Sequence, residues 1–223
     1  MPKRCVTCSR VLSNVFIPTQ AILGYPNWFA KKPEVAERRQ RYIDFSRKLH
    51  AVLAPLFGER YSLHEELTVL TSDGLAGPSI RADCVALTEI GVFVISQIDW
   101  AGNVGKCIGE DKLRVETAPG MTAISPSPLR YTAPAVHFLG ALLDGFNCSV
   151  ESIAVFENET CKLEMGLSTS LLKLSELNHF FRVRHKHAYG RSIYVIDVRE
   201  MGERLRAGCR LITGPSASQL DND

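Results

Sequence analysis

The run Val92-Phe93-Val94-Ile95-Ser96-Gln97-Ile98-Asp99-Trp100-Ala101-Gly102 follows closely on Ile80-Arg81-Ala82-Asp83-Cys84-Val85-Ala86-Leu87, with Thr88-Glu89-Ile90-Gly91 between them. Short, β-branched-rich runs separated by a Gly-containing turn read as the two arms of a hairpin, here 80–88 and 91–98. Pairing around that turn predicts Asp83 and Ser96 side by side on adjacent strands, with Ile98 nearby. Asp99 is one residue out of phase with Ser96 and Ile98, so in a regular strand it faces the other side.

Upstream, Tyr42, Phe45, Leu49, Val52, Leu53 and Leu56 recur at helical spacing between Glu34 and Phe57. Glu37–Arg41 and Asp44–Lys48 place an acid four residues before a base, which supports an exposed helix face, and Gly58 is a helix stop. Leu67–Thr71 reads as a strand and 72–77 as a turn. Downstream, Val104–Ile108 is a short strand. Lys106, Glu110, Asp111 and Lys112 form a charged hairpin, and residues 117–128, with three prolines and four Ser/Thr, make a loop. A helix over Ala135–Asp144 follows, with Pro134 as an early helical residue. Then come a buried strand at 150–156, a helix near 170–181, a strand at Ser192–Val198 and a short amphipathic helix to Leu205. This alternation predicts an α/β fold, a mixed central sheet flanked by helices. Residues 1–33 read as an N-terminal extension, 34–206 as the domain, and 207–223 as a flexible polar tail.

The order, spacing and glycine placement of these segments resemble the nuclease-related (NERD) domain, a branch of the PD-(D/E)xK nuclease superfamily. That family reads roughly Gln-Ile-Asp-His-hydrophobics, then Gly, then Val-Ile-Glu-x-Lys-x-Trp-x-Gly. Ile80–Leu87 is similar to the first segment, with Asp83 as its acid, and Gly91–Gly102 to the second. Ser127-Pro128-Leu129-Arg130-Tyr131 is similar to the family's Asn-Pro-x-x-Gln segment. The likeness covers roughly residues 36–180 and implies a restriction-endonuclease-like fold. It also implies a vestigial site, because Ser96 stands at the family's Glu position, Ile98 at its Lys position and Tyr131 at its Gln position. Cleavage of this type holds a hard cation between carboxylates, while a lysine stabilises developing charge. Ser96 is a weak neutral ligand and Ile98 carries no charge. The expectation is therefore a non-catalytic NERD-like accessory protein, with no catalytic residue, resident metal or cofactor. It would bind an unidentified protein or nucleic acid and regulate or inhibit a DNA-processing system such as plasmid transfer or defence. The alternatives are a metal-dependent nuclease that recruits Asp99 or Glu110, and a purely protein-interaction module.

Composition fits an ordinary globule, 45% hydrophobic and 22% charged, with a net charge of only +2. Residues 1–60 nevertheless hold eleven Lys/Arg against four acids, a basic quarter suited to phosphate or an acidic partner. The densest basic tract, His179–Arg191, contains no acid and interleaves aromatics. Charge plus stacking suits nucleic acid, which makes Arg182, Arg184, Lys186 and Arg191 candidate contacts. The bland reading is an exposed loop with Phe180 and Phe181 buried. Seven cysteines are an odd, scattered set, as expected of a reducing cytoplasm. Cys5 and Cys8 have the spacing of half a zinc ribbon, but no second close pair completes four ligands. The apolar stretch at 11–29 is interrupted by Asn14, Pro18, Thr19 and Gln20, and no membrane-length run exists.

Overall fold

The computed structural model describes residues 35–69, 80–109, 111–190 and 196–208. Its centre is the hairpin, β2 (Ile80–Thr88) and β3 (Gly91–Ile98), paired antiparallel from Cys84↔Ile95 to Thr88↔Gly91. Thr88 closes the turn by donating its hydroxyl to the Gly91 carbonyl at 2.7 Å. Gly91 has φ +145°, and a Cβ there would sit 2.7 Å from Ser149 Oγ. The turn therefore requires glycine at this point.

β1 (Tyr61–Val69) pairs antiparallel with β2, while β7 (Val150–Phe156) and β9 (Leu171–Lys173) extend the sheet in parallel beyond β3. The resulting order is β1-β2-β3-β7-β9, a mixed five-stranded sheet. Six consecutive residues of β3, Gly91–Ser96, are buried, so both sheet faces must be covered.

On one face lie α1 (Val35–Phe57) and α3 (Leu177–Gly190). Phe45, Leu49, Leu53 and Phe57 of α1 meet Leu177 and Phe181 of α3 over Ala86, Phe93, Ile95 and Ile153. Gly58, at φ +59°, ends α1 and returns its N–H to the Ala54 carbonyl at 2.9 Å. On the other face, Ala135 and Leu139 of α2 (Pro128–Leu142) pack with Met201 and Leu205 of α4 (Val198–Gly208) over Val85, Leu87, Val92 and Val94. A second sheet, β6-β5-β4-β8, packs against the ends of β3 and β7 through Ile98, Val104, Leu113, Val115 and Phe156. Its strands are β4 (Asn103–Lys106), β5 (Lys112–Ala118), β6 (Met121–Pro126) and β8 (Lys162–Leu163). The molecule is thus α/β, with mixed sheets flanked by helices.

Several expectations need correction. The 117–128 loop is the end of β5, a turn at Pro119-Gly120, and β6. Alternation over Lys112-Leu113-Arg114-Val115, exposed and buried in turn, is the signal that the prolines masked. Pro126 is tolerated because it ends an edge strand. The helix expected near 170–181 begins only at Leu177. Leu171–Lys173 instead completes the sheet edge, where Ala154 N–H bonds the Ser170 carbonyl at 2.8 Å. The tract 179–190 is helical and not a loop, since Leu177 and Phe181 lie four apart and are fully buried. α2 starts at Pro128, so Pro134 lies within the helix. Residues 192–195 of the expected last strand, the 1–33 extension and the tail from 209 lie outside the described residues, while Ile196 and Asp197 have no regular structure and Val198 already opens α4. Among the described residues no helix is long and apolar enough to cross a membrane.

A buried carboxylate ties the layers together. Glu89, buried in the hairpin turn, meets Arg60 at 2.7 Å and His185 of α3 at 3.4 Å. On edge strand β1, His64 lies 3.1 Å from Ser62 Oγ. Burial, and secondarily Arg206 of α4, lowers its pKa from the ordinary value. The unfolded chain therefore takes up this proton more readily. Stability from neutral His64 is fully present above the unfolded pKa of about 6.5 and is lost as pH falls through the folded value. Urea unfolding midpoints should accordingly decline below about pH 6.5, and His64→Gln should flatten that part of the profile. Superimposable profiles for the two proteins would contradict this assignment.

Candidate functional site

The positions singled out by the resemblance are distributed by strand geometry. The β2–β3 ladder closes at Cys84↔Ile95, and beyond it the strands need another way to satisfy their backbone. Asp83 provides one, because its Oδ2 accepts the Gln97 backbone N–H at 3.2 Å. Its Oδ1 accepts the Tyr42 hydroxyl from α1 at 3.3 Å. The carboxylate thus sits where the two strands part, reached from the α1 side.

β3 then alternates. Phe93 and Ile95 belong to the α1/α3 face, and Gln97 continues that row by donating its side-chain amide to Glu157. Lys48 of α1 holds the same carboxylate at 2.8 Å. Asp99 follows on this side, paired with Arg41 of α1 at 3.1 Å and accepting from Asn158 at 3.5 Å. The out-of-phase reading of Asp99 is matched by this placement.

Ser96 and Ile98 fall in the alternate row. Ser96 is buried and lies level with Ala154 of β7. Ile98 is 2% exposed and packs with Val104, Ala154 and Phe156. Tyr131 is exposed on α2, which covers the sheet face opposite to α1. Burial raises its phenol pKa, with Arg130 opposing the shift. The register that pairs Cys84 with Ile95 sets Asp83 level with Ser96 on the adjacent strand, as the hairpin reading expects. The Asp83 carboxylate is engaged by the Tyr42 hydroxyl and the Gln97 amide, while Ser96 is buried beside Ala154.

The polar group that is assembled comprises Arg41, Tyr42 and Lys48 on α1 facing Asp83, Gln97, Asp99 and Glu157 at the strand ends. Arg41 and Lys48 are seven residues apart, two helical turns, and so share a flank. Asp99 and Glu157 are each neutralised from α1, and Asp83 is hydrogen-bonded. Sequence reading missed Gln97 and Glu157 as members. Gln97 shares the parity of Asp99 within β3, and that was the available signal. Glu157 is brought in only by the parallel β3–β7 pairing. Among the described residues no three His, Cys, Asp or Glu side chains are grouped so as to hold a metal ion. Glu110, Cys5 and Cys8 lie outside the described residues.

The basic tract divides as well. Arg182 and Lys186 are exposed on α3, whereas Arg184 turns inward to Glu151 at 2.7 Å, its guanidinium 5.1 Å over Phe180. Arg191 lies outside the described residues. Comparison of the chain with protein-family models, curated proteins and solved structures found no match to any of them.

If Asp83 serves as a backbone acceptor, Asp83→Ala should destabilise by about 1–3 kcal/mol, the cost of leaving a partly buried N–H unsatisfied. Tyr42→Phe should cost about 1 kcal/mol, and Lys48→Ala, at a half-exposed pair, under about 1 kcal/mol. Chemical denaturation measures all three. A stabilising Asp83→Ala would instead mark an acid held for chemistry at the expense of stability.

Proposed function

We propose that this chain is a non-catalytic protein on a nuclease-like α/β core, a degenerate relative of the NERD branch of the PD-(D/E)xK superfamily. It acts by binding a macromolecular partner, and in that way regulates or inhibits a DNA-processing system such as plasmid transfer or defence. The observation that carries this reading is Ile98. The position where the resemblance expects a catalytic lysine is a core position between β3, β4 and β7, and an ammonium group there would lack water and a partner. The mixed sheet between helices and the neighbouring strands of Asp83 and Ser96 support it. The kinship rests on the order of these elements. The four cysteines among the described residues are unpaired thiols, in keeping with a proposed cytoplasmic setting.

A second reading is favoured by one specific observation. Asp83, Gln97 and Asp99 all approach the α1 side, so a rearranged nuclease site could form there if Arg41 and Lys48 withdrew from their carboxylates. The salt bridges and the hydrogen-bonded Asp83 oppose it, since a cation would have to displace them.

The purified protein should show no magnesium- or manganese-dependent cleavage of DNA or RNA. Cleavage that disappears in Asp83→Ala would establish the rearranged nuclease. Cleavage that persists in that variant identifies a contaminant.

A further inference from the structure

We propose that the solvent face of α3 docks on the phosphate backbone of duplex DNA, with Arg182 and Lys186 as its phosphate ligands and Arg184 as a positioning residue. This rests on the preceding reading that the chain acts by binding, and it names the partner.

α3 carries no acid in fourteen residues, Leu177–Gly190. Its basic side chains separate into two sets with different surroundings. Arg184 and His185 face inward, to Glu151 and to the buried Glu89. The His185 ring also stands edge-on to Phe57 at 5.3 Å. These contacts fix the rotation of the helix about its axis. With that rotation fixed, Arg182 and Lys186 project into solvent one turn apart, and His179 and His187 are exposed beside them. Among the described residues no carboxylate pairs with Arg182 or Lys186. Arg184 is neutralised by Glu151, and among the described residues Arg182 and Lys186 form a stripe without an acidic partner. An anionic partner complements such a stripe.

Three candidate partners differ in what else they require. Single-stranded nucleic acid is held by aromatic stacking as well as charge. Here Phe181 is fully buried and Phe180 packs beneath Arg184 against Phe93 and Phe181, so neither presents a stacking face. An acidic protein surface would look for an apolar centre inside the charged rim. Val183 is the one exposed large hydrophobic on this helix among the described residues. Duplex DNA requires neither, and it presents a negative charge about every 1.7 Å along its axis.

The test is fluorescence anisotropy of a labelled DNA duplex with the full chain, titrated at a series of salt concentrations. Each phosphate contact contributes about 0.9 to the slope of log Kd against log salt. Arg182→Ala/Lys186→Ala should therefore lower the slope by about two and weaken binding near 0.1 M salt roughly ten- to a hundredfold. Its unfolding midpoint should stay unchanged, because both side chains are exposed. Arg184→Met should lower the unfolding midpoint and leave the slope as in the wild type. An unchanged slope in the double variant, or no duplex binding by the wild type at low salt, overturns the proposal. Tighter binding of a single strand through the same two residues would also overturn it. So would poly-glutamate competing as well as unlabelled duplex, which would assign the stripe to an acidic protein. Divalent-dependent cleavage of the probe with the slope change intact would remove the non-catalytic reading and leave this surface standing.

Discussion

The structure depends on β3 being buried on both of its faces. A strand that is apolar on alternate residues needs only one covering layer, whereas Val92, Phe93, Val94 and Ile95 are all removed from water. Each row needs its own helical layer, and the chain supplies α1 with α3 on one side and α2 with α4 on the other. The second sheet then covers the strand's exit, where Ile98 joins Val104 and Phe156. With some 25 cal/mol gained per Å² of apolar surface buried, a strand enclosed on both faces is where packing errors are most strongly penalised. Polar functions are consequently displaced from the middle of β3 to its end and to the helix surfaces.

That displacement explains how the polar residues are used. At the strand end, where β2 and β3 separate, the backbone loses its ladder partner, and Asp83 replaces it with a side-chain oxygen. Gln97, Glu157 and Lys48 form the next link, and Asp99 with Arg41 the last. Each acid at this edge is matched to a donor from α1. The cluster joins α1 to the sheet alongside the apolar contacts of Phe45 and Leu49. Glu89 joins the opposite end of the sheet to Arg60 and His185 in the same manner.

The hairpin, α1 and the 150–156 strand could be read directly, because each is a run rich in apolar residues, with Gly91 and Gly58 marking the boundaries of the first two. The β5–β6 pair could not, since Pro119, Pro126 and Pro128 read as a loop while Pro126 in fact sits at a sheet edge, where a missing N–H does no harm. α3 was obscured by its charge. Arg182 to His187 read as a solvated loop until Leu177 and Phe181 are seen to hold the helix down. The site was least legible. Register placed Asp83 opposite Ser96, but side-chain direction there follows from Tyr42 and the freed Gln97 amide, contacts separated by 41 and 14 residues that no local pattern encodes.

The central claim is that Asp83 is committed to the fold and not available to a metal. Amide hydrogen exchange at Gln97, followed by NMR with and without magnesium, tests it most directly. The account predicts a slowly exchanging Gln97 N–H in the wild type, fast exchange in Asp83→Ala, and no change in rate or chemical shift on adding magnesium. A Gln97 amide that shifts and exchanges faster as magnesium is titrated would show the carboxylate leaving the backbone for the cation, and would contradict it.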